Sequence, residues 1–154
     1  TAPRLVVTKK VRKLEVFDGD ELVRTYRVSL GFEPVGDKEI QGDGKTPEGE
    51  FYIFTKNPKS KFYLSLGISY PSTEDAARGL KDGLIDQSEY DEIVDAVRQK
   101  KIPLQYTKLG GEIYLHGGGV FTKDWTYGCV ALADKDIKEL FDALTIGTPV
   151  TIHP

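Results

Sequence analysis

The chain has 154 residues, of which 39% are hydrophobic and 29% are charged, and its formal net charge at pH 7 is −3. This length and balance are typical of one globular domain with a buried core. The acidic balance argues against nucleic-acid binding, which needs a basic excess, and no apolar run approaches the roughly 18 residues of a membrane span.

Strands are predicted for most of the first half of the chain. Apolar and polar residues alternate, or aromatic and β-branched residues cluster, in residues 5–9, 13–17, 21–29, 50–56 and 61–69. Asp18-Gly19 supplies a turn between the second and third of these runs, which predicts a β-hairpin. Residues 31–49 are rich in glycine, proline and charge, and they predict a long loop.

A helical insertion is predicted over residues 73–101. Thr73–Lys81 forms a first short helix, on which Arg78 is expected to be exposed. In the second helix the apolar residues recur at the spacing of one helical face, and Ser88 is the predicted N-cap. The apolar face of that helix comprises Tyr90, Ile93, Val94 and Val97. This face is expected to form one wall of a substrate cleft or to cover a sheet.

The last third of the chain predicts two buried strands, a helix and a closing strand. Residues 112–116 and 129–132 are the buried strands. Asp134 is the predicted cap of a helix that Gly147 ends, and Pro149–Ile152 is expected to form an edge strand. The whole chain, residues 1–154, is therefore predicted to be a single mainly β domain with a helical insertion and one C-terminal helix.

Candidate catalytic residues lie at the two buried strands. His116 ends one strand and is followed by Gly117, while Gly128 immediately precedes the sole cysteine, Cys129, at the start of the other. A cysteine nucleophile needs a nearby base and backbone N–H groups aimed at the oxyanion, and glycine lets main chain approach a substrate closely. The residues alone leave open a plainer interpretation, in which Cys129 is a small buried hydrophobe and His116 is structural.

Three other motifs are excluded by their spacing. Gly44-Lys45-Thr46 lacks the leading glycine and the following helix of a nucleotide-binding loop. The glycines after His116 lack the Gly-x-Ser-x-Gly elbow of an esterase. A zinc site would need His116, Cys129, Asp124 and His153, which show no ligand-pair spacing, so neither metal nor cofactor is expected.

The sequence around these residues resembles the L,D-transpeptidase (YkuD-type) family of bacterial cell-wall enzymes. The family pattern of His-Gly followed by Ser/Thr-His-Gly-Cys corresponds here to His116-Gly117 and Thr126-Tyr127-Gly128-Cys129. The resemblance extends over Arg4–Ser29, over Thr46–Phe51 and over Asp134–Ile152. It implies the β-sandwich or barrel-like fold of that family.

The resemblance also implies roles for individual residues. Cys129 would attack a stem peptide of peptidoglycan at diaminopimelate to give a thioester, and His116 would remove its proton. The Gly117 carbonyl would orient the imidazole, and the N–H groups of Gly128 and Cys129 would stabilise the oxyanion. Tyr127 and Trp125 are expected to contact substrate. The protein would act in the periplasm or cell envelope, any signal peptide having been removed, since none opens this sequence at Thr1.

Two departures from the family pattern bear on the reaction. Tyr127 replaces the usual histidine, and Ala131 replaces an arginine usually found two residues after the cysteine. With the extra helices and Gly42–Lys45, these departures are similar to the YafK-like branch, which includes hydrolases. Three functions therefore stay open: an L,D-transpeptidase, an L,D-carboxypeptidase or related amide hydrolase with the same pair, and an inactive wall-binding module. The sequence does not predict the oligomeric state.

Overall fold

The fold is a curled eight-stranded sheet with three helices. The computed structural model describes residues 2–154, and hydrogen bonding gives the strand order β3-β2-β1-β8-β4-β5-β6-β7. The strands are β1 Pro3–Thr8, β2 Lys13–Asp18, β3 Glu21–Arg27, β4 Gly49–Ser60, β5 Tyr63–Ile68, β6 Tyr114–His116, β7 Val130–Ala131 and β8 Pro149–His153. The predicted mainly β class is confirmed.

The predicted N-terminal hairpin is confirmed as β2 and β3. Leu14 and Val16 alternate with more exposed residues and face the core, as the period of two predicts. Gly19 takes a positive φ of 62° in the turn, a conformation that glycine adopts without a steric penalty. The predicted loop over residues 31–49 follows, and β4 begins at its last residue.

The chain after β3 curls the sheet into a barrel-like form. Ser29 pairs with Ala131 of β7 and Gly31 pairs with Thr126, so this segment reaches the far edge of the sheet. The backbone N–H groups of Ser29 and Ala131 each donate to the other residue's carbonyl, at 3.0 and 2.9 Å. These bonds satisfy backbone groups that an open edge would leave exposed. They also bring the residues before Cys129 against the N-terminal third of the chain.

The sequence predicted that the closing strand, β8, is an edge strand, and this prediction is wrong. The strand lies in the middle of the sheet. It pairs parallel with β1, where Leu5 is opposite Val150, and antiparallel with β4, where Phe51 is opposite Val150. Val150 and Ile152 are fully or almost fully buried. Pro149 is tolerated because it is the first residue of the strand.

The helical insertion is confirmed as α1 Thr73–Lys81 and α2 Gln87–Arg98. Asp86, rather than Ser88, is the N-cap of α2, because Asp86 and Glu89 form a reciprocal capping box. Tyr90, Ile93 and Val97 of the predicted apolar face pack in a second core, apart from that of the sheet, whereas Val94 does not belong to it. Its buried members are Ala76, Ile85, Ile93 and Leu109, packed against Leu80, Leu84, Tyr90, Val97 and Leu104.

The C-terminal helix, α3, comprises Asp134–Ala143 and packs on the sheet core through Ile137, Leu140 and Leu144. Asp134 is the first helical residue rather than the cap, which is Ala133. Its carboxylate instead accepts a hydrogen bond from the Gly118 N–H at 2.9 Å, which fixes the glycine segment after β6. The helix ends before Gly147, which lies in the turn that leads to β8. The Gly147 N–H donates to the backbone carbonyl of Ile53. Within residues 2–154 no helix is long and apolar enough to cross a membrane.

Candidate active site

His116 is the last residue of β6, and its imidazole is held in one orientation. The side chain is buried, and Nδ1 lies 2.6 Å from the backbone carbonyl of Gly117, the contact that the family resemblance implies. Because a carbonyl only accepts, Nδ1 carries the proton and Nε2 is the unprotonated nitrogen of the neutral ring. Burial lowers the pKa of His116, opposed by the bond to Gly117. The ring is therefore a neutral base at pH 7.

Aromatic side chains enclose this imidazole. Phe62 stacks on it with ring centroids 4.6 Å apart, and Trp125 meets it edge-on at 5.7 Å. The indole N–H of Trp125 donates to the Gly119 carbonyl at 3.2 Å, which fixes the indole in turn. Trp125, predicted to bind substrate, lines the cleft and also supports the histidine.

Cys129 is the residue directly before β7, and β7 is the strand that pairs with β6. Its sulfur accepts a hydrogen bond from the Tyr114 N–H at 3.4 Å and donates to the Glu112 carbonyl at 3.5 Å. In the part of the chain that the structure describes, no hydrogen bond joins this sulfur to His116. Burial raises the pKa of the thiol to about 11, and the Glu112 charge adds to the rise, while the Tyr114 bond and the Lys38 charge oppose it. Without substrate, the side chain of Cys129 is therefore a protonated thiol.

The turn before Cys129 is fixed by Thr126, which the sequence left without a role of its own. Its hydroxyl donates to the Cys129 carbonyl at 2.7 Å and accepts from the Gly128 N–H at 3.1 Å. Gly128 has φ of 134°, and a Cβ there would lie 2.8 Å from the Lys45 carbonyl oxygen. Only glycine fits this position. The Gly128 N–H is expected to be a donor in the oxyanion hole. To take that role, it would have to give up its hydrogen bond to the Thr126 hydroxyl and donate to the substrate oxygen instead.

These groups open into one cleft of about 810 Å³. Tyr127, predicted to contact substrate, stands on its rim with 84% of its surface exposed and an edge contact to Phe32. The lining consists of Lys38, Gln41, Gly42, Asn57, Lys59, Ser60, Lys61, Phe62, Ser65, Gly111, Glu112, Ile113, Tyr114, His116, Trp125, Thr126, Tyr127 and Cys129. Among the described residues, its charged side chains are three lysines and one glutamate, which favours an anionic occupant.

Lys38 is a buried cation in the cleft wall. Its ammonium donates to Asp43 at 2.9 Å and to the Ile40 carbonyl at 3.0 Å, and only 3% of its side chain is exposed. Asp43 also accepts from the N–H groups of Glu39, Ile40 and Lys45, and these bonds with the Lys38 contact hold its pKa below its ordinary value despite burial. These bonds tie the loop that carries Lys38 together where it forms part of the wall.

The helical insertion does not line the cleft, so the prediction that it forms a wall is wrong. Arg78 is not simply exposed either: three quarters of its side chain is covered, and it pairs with the buried Asp75 at 3.3 Å. Its guanidinium donates to the backbone carbonyls of Glu39 at 3.0 Å and Lys38 at 3.5 Å. The insertion thus supports the loop that forms the wall.

Ala131 is fully buried and is not among the cleft-lining residues. The position of the family's arginine therefore faces the core in this chain, and an arginine there would bury a charge. Within residues 2–154, no three metal-ligating side chains converge on one position. Phe62, Lys38 and Glu112 belong to the cleft but were not predicted, because only long-range packing brings them to it.

Residues 2–152 match the family model of the L,D-transpeptidase catalytic domain, YkuD. The chain therefore belongs to the YkuD family of L,D-transpeptidase catalytic domains, and the resemblance found in the sequence is confirmed.

Individual relatives agree with this assignment. YafK of Escherichia coli (strain K12) is 26% identical over 162 residues, which cover 96% of this chain and 52% of YafK. The helical cell shape determining protein Pgp2 from Campylobacter jejuni shares the fold with a TM-score of 0.67 and 20% identity, covering 98% of this chain and 47% of Pgp2. An L,D-transpeptidase from Mycobacterium smegmatis gives a TM-score of 0.60 at 13% identity, over 99% of this chain and 59% of that one. The chain spans about half the length of YafK and Pgp2.

Proposed function

We propose that this chain is a cysteine acyl-transferase that acts on peptidoglycan stem peptides through a Cys129 thioester. The observation that carries the proposal is a neutral imidazole, with Nε2 unprotonated, in the same cleft as the sole cysteine. Membership of the YkuD family supplies the substrate class. Because peptidoglycan lies there, the proposed place of action is the periplasm or cell envelope.

The reaction starts from two neutral groups. The thiol of Cys129 turns from the Glu112 carbonyl towards Nε2 of His116, which takes the proton as sulfur attacks the peptide carbonyl carbon. The new C–S bond replaces the C–N bond, and the imidazolium returns its proton to the leaving amine. Attack of an amine or of water on the thioester then releases the acyl group and restores the thiol.

The role of His116 as general base depends on the Gly117 carbonyl. That carbonyl fixes the proton on Nδ1 and stabilises the positive ring that forms during attack. Phe62 and Trp125 exclude water from one side of the ring, which keeps the base neutral until substrate arrives. The proposed oxyanion donors are the N–H groups of Gly128 and Cys129, the first after release from Thr126.

The charge of the cleft fits a substrate with several carboxylates. Lys59 and Lys61 flank the cleft on the β4–β5 hairpin, and Lys38 is the cation inside its wall. Stem peptides carry free carboxylates beside the scissile bond, so these lysines are proposed to take the part of the arginine that Ala131 replaces. The two surface lysines, Lys59 and Lys61, can adjust their side chains to the substrate carboxylates, whereas Lys38 is held by Asp43.

The test is incubation of the purified chain with isolated muropeptides, followed by mass spectrometry. Cross-linked dimers would show transfer, and shortened or released monomers would show hydrolysis by the same thioester, as in an L,D-carboxypeptidase. Cys129→Ala should retain the fold and lose all turnover, and intact-protein mass should show an acyl adduct on the wild type alone. Turnover by Cys129→Ala, or binding of muropeptides by the wild type without any product, would refute the proposal, and the latter would favour a wall-binding module.

A further inference from the structure

Glu112, next to the nucleophile, has an unusual backbone conformation. Its φ is +56°, in the left-handed region that side chains with a Cβ seldom occupy. The residue is exposed, so packing of its own side chain does not impose this conformation. Unfavourable backbone angles persist only where the surroundings hold them, and they concentrate at functional sites.

Gln105 is the residue that holds Glu112 in place. Its side-chain oxygen accepts the Glu112 N–H at 2.7 Å, and its amide nitrogen donates to the carbonyls of Tyr70 at 2.8 Å and Pro103 at 3.0 Å. Gln105 is buried, with 8% exposure, so its bonds to Tyr70 and Pro103 are shielded from water, and its bond to the Glu112 N–H is partly shielded. Gly111 packs so tightly on Gln105 that a Cβ there would lie 2.3 Å from the Gln105 backbone oxygen.

This arrangement directs the Glu112 carbonyl at the sulfur of Cys129. The sulfur donates to that carbonyl at 3.5 Å, and the same sulfur accepts a hydrogen bond from the Tyr114 N–H at 3.4 Å. An S–H group that donates to a carbonyl is stabilised in its protonated form, because the carbonyl would repel a thiolate. The direction agrees with the raised pKa of this thiol.

We propose that Gln105 and the left-handed backbone of Glu112 form a resting clip, which holds the Cys129 thiol protonated and turned away from His116 until substrate displaces it. Both are positioning residues. The catalytic meaning of the clip rests on the proposed function, but the clip itself exists without substrate. Leu104 and Leu109, on either side of Gln105 in the chain, pack in the core of α1 and α2. The helical insertion thereby supports the clip.

Two substitutions at the exposed position 112 separate the effect of the backbone conformation from the effect of the carboxylate charge. Glu112→Asn and Glu112→Val both remove the carboxylate, but asparagine tolerates a positive φ and a β-branched valine does not. The readout is the Raman S–H stretching band, which belongs to Cys129 alone because the chain has one cysteine. The band should lie at the position of a hydrogen-bonded thiol in the wild type and in Glu112→Asn, and should move to that of an unbonded thiol in Glu112→Val.

Alkylation by iodoacetamide at pH 7 gives a second measurement. Loss of one hydrogen bond to the thiol should make Glu112→Val react roughly three- to tenfold faster than Glu112→Asn. Tyr106→Phe, which removes only the hydroxyl bonded to the Glu112 carboxylate at 3.1 Å, should leave the S–H band in place. Equal bands and equal rates for the asparagine and valine variants, in proteins with the same near-UV circular dichroism, would overturn the clip. Failure of muropeptide turnover would leave these two results standing and would refute the proposed function alone.

Discussion

The thiol of Cys129 and the imidazole of His116 are both uncharged at neutral pH. Burial raises the pKa of the thiol to about 11 and lowers that of the imidazole. A preformed thiolate–imidazolium pair would require shifts in the opposite directions. We therefore expect the proton transfer proposed for this site to accompany attack on substrate rather than to precede substrate binding.

The alkylation rate of Cys129 should accordingly keep rising with pH. Without substrate, the wild type should react slowly with iodoacetamide at pH 7, and its rate should increase from pH 8 towards about 11, the pKa of the thiol. Alkylation is followed by mass spectrometry across this range. A plateau already reached near pH 7 would indicate a preformed ion pair with His116.

Thr126 offers a matched test of the turn before Cys129. Thr126→Val removes the hydroxyl that bonds both the Cys129 carbonyl and the Gly128 N–H, at nearly the same volume. We expect a loss of about 1–3 kcal/mol in the free energy of unfolding, since the buried Gly128 N–H and the partly buried Cys129 carbonyl both lose their partner. Thr126→Ser keeps the hydroxyl and should retain most stability and turnover. Urea unfolding of both variants measures whether the Thr126 hydroxyl stabilises this turn. A valine variant as stable as the serine variant would contradict that role.

The sequence predicted some of these residues and missed others for a physical reason. Cys129 and His116 could be found because a single cysteine near glycine, and a histidine at a strand end followed by glycine, are local patterns. Phe62 lies directly before β5 and reaches His116 because β5 pairs with β6, and Glu112 contacts the sulfur of a cysteine 17 residues further along the chain. Such neighbours depend on contacts between distant segments, which local periodicity does not encode.

The same distinction holds for elements. The boundaries of α1 were predicted because a change of period marks a helix, whereas the N-cap of α2 was missed because two acceptors, Asp86 and Ser88, stand close together. Asp86 is favoured because its partner three residues on, Glu89, can reach back to its N–H. The position of β8 in the sheet was missed because a strand's neighbours are long-range partners.

The cap of α2 can be checked by two alanine substitutions. Asp86→Ala removes one half of the capping box and should lower the free energy of unfolding by about 1 kcal/mol. Ser88→Ala lies on the exposed surface two residues later and should change stability by less than about 0.5 kcal/mol. Thermal unfolding compares the two, and a larger effect at Ser88 would restore it as the cap.

Arg78 and Lys81 test how the insertion supports the cleft. Arg78→Ala removes the donors to the Lys38 and Glu39 carbonyls and leaves Asp75 buried without its cation. We expect stability to fall by about 1–3 kcal/mol and KM for muropeptides to rise, with little change in the alkylation of Cys129. Lys81→Ala, on the exposed end of the same helix, is the control and should change neither quantity. An unchanged KM for Arg78→Ala would make the insertion a scaffold without influence on the cleft.

For the whole molecule, buried acids with raised pKa values predict sensitivity to alkali. Tyr70 is fully buried and donates to the Leu109 carbonyl at 2.7 Å, and burial raises its pKa far above the ordinary value of about 10. Burial and the Glu139 bond raise the pKa of Tyr26 to about 12. As pH rises through about 10, the unfolded chain loses these protons while the folded chain keeps them, so stability falls.

Tyr70→Phe separates this effect from simple loss of a hydrogen bond. The variant should be less stable than wild type at pH 8, because the Leu109 carbonyl loses its donor, but its stability should fall less steeply between pH 9 and 11. Urea midpoints measured at several pH values give both slopes. Parallel slopes would mean that Tyr70 does not contribute to alkaline unfolding.

The central position of β8 has a consequence for the order in which the protein can fold. The strands before it form two groups, β1–β3 and β4–β7, and within the sheet β8 is the strand that joins β1 to β4. Since β8 follows the other seven strands in chain order, a ribosome releases it after β1 and β4. Until then β1 and β4 each present an unpaired edge, where non-native strand pairing and aggregation begin. The complete sheet therefore forms late, and the strand that completes it also removes the edges most exposed to misfolding.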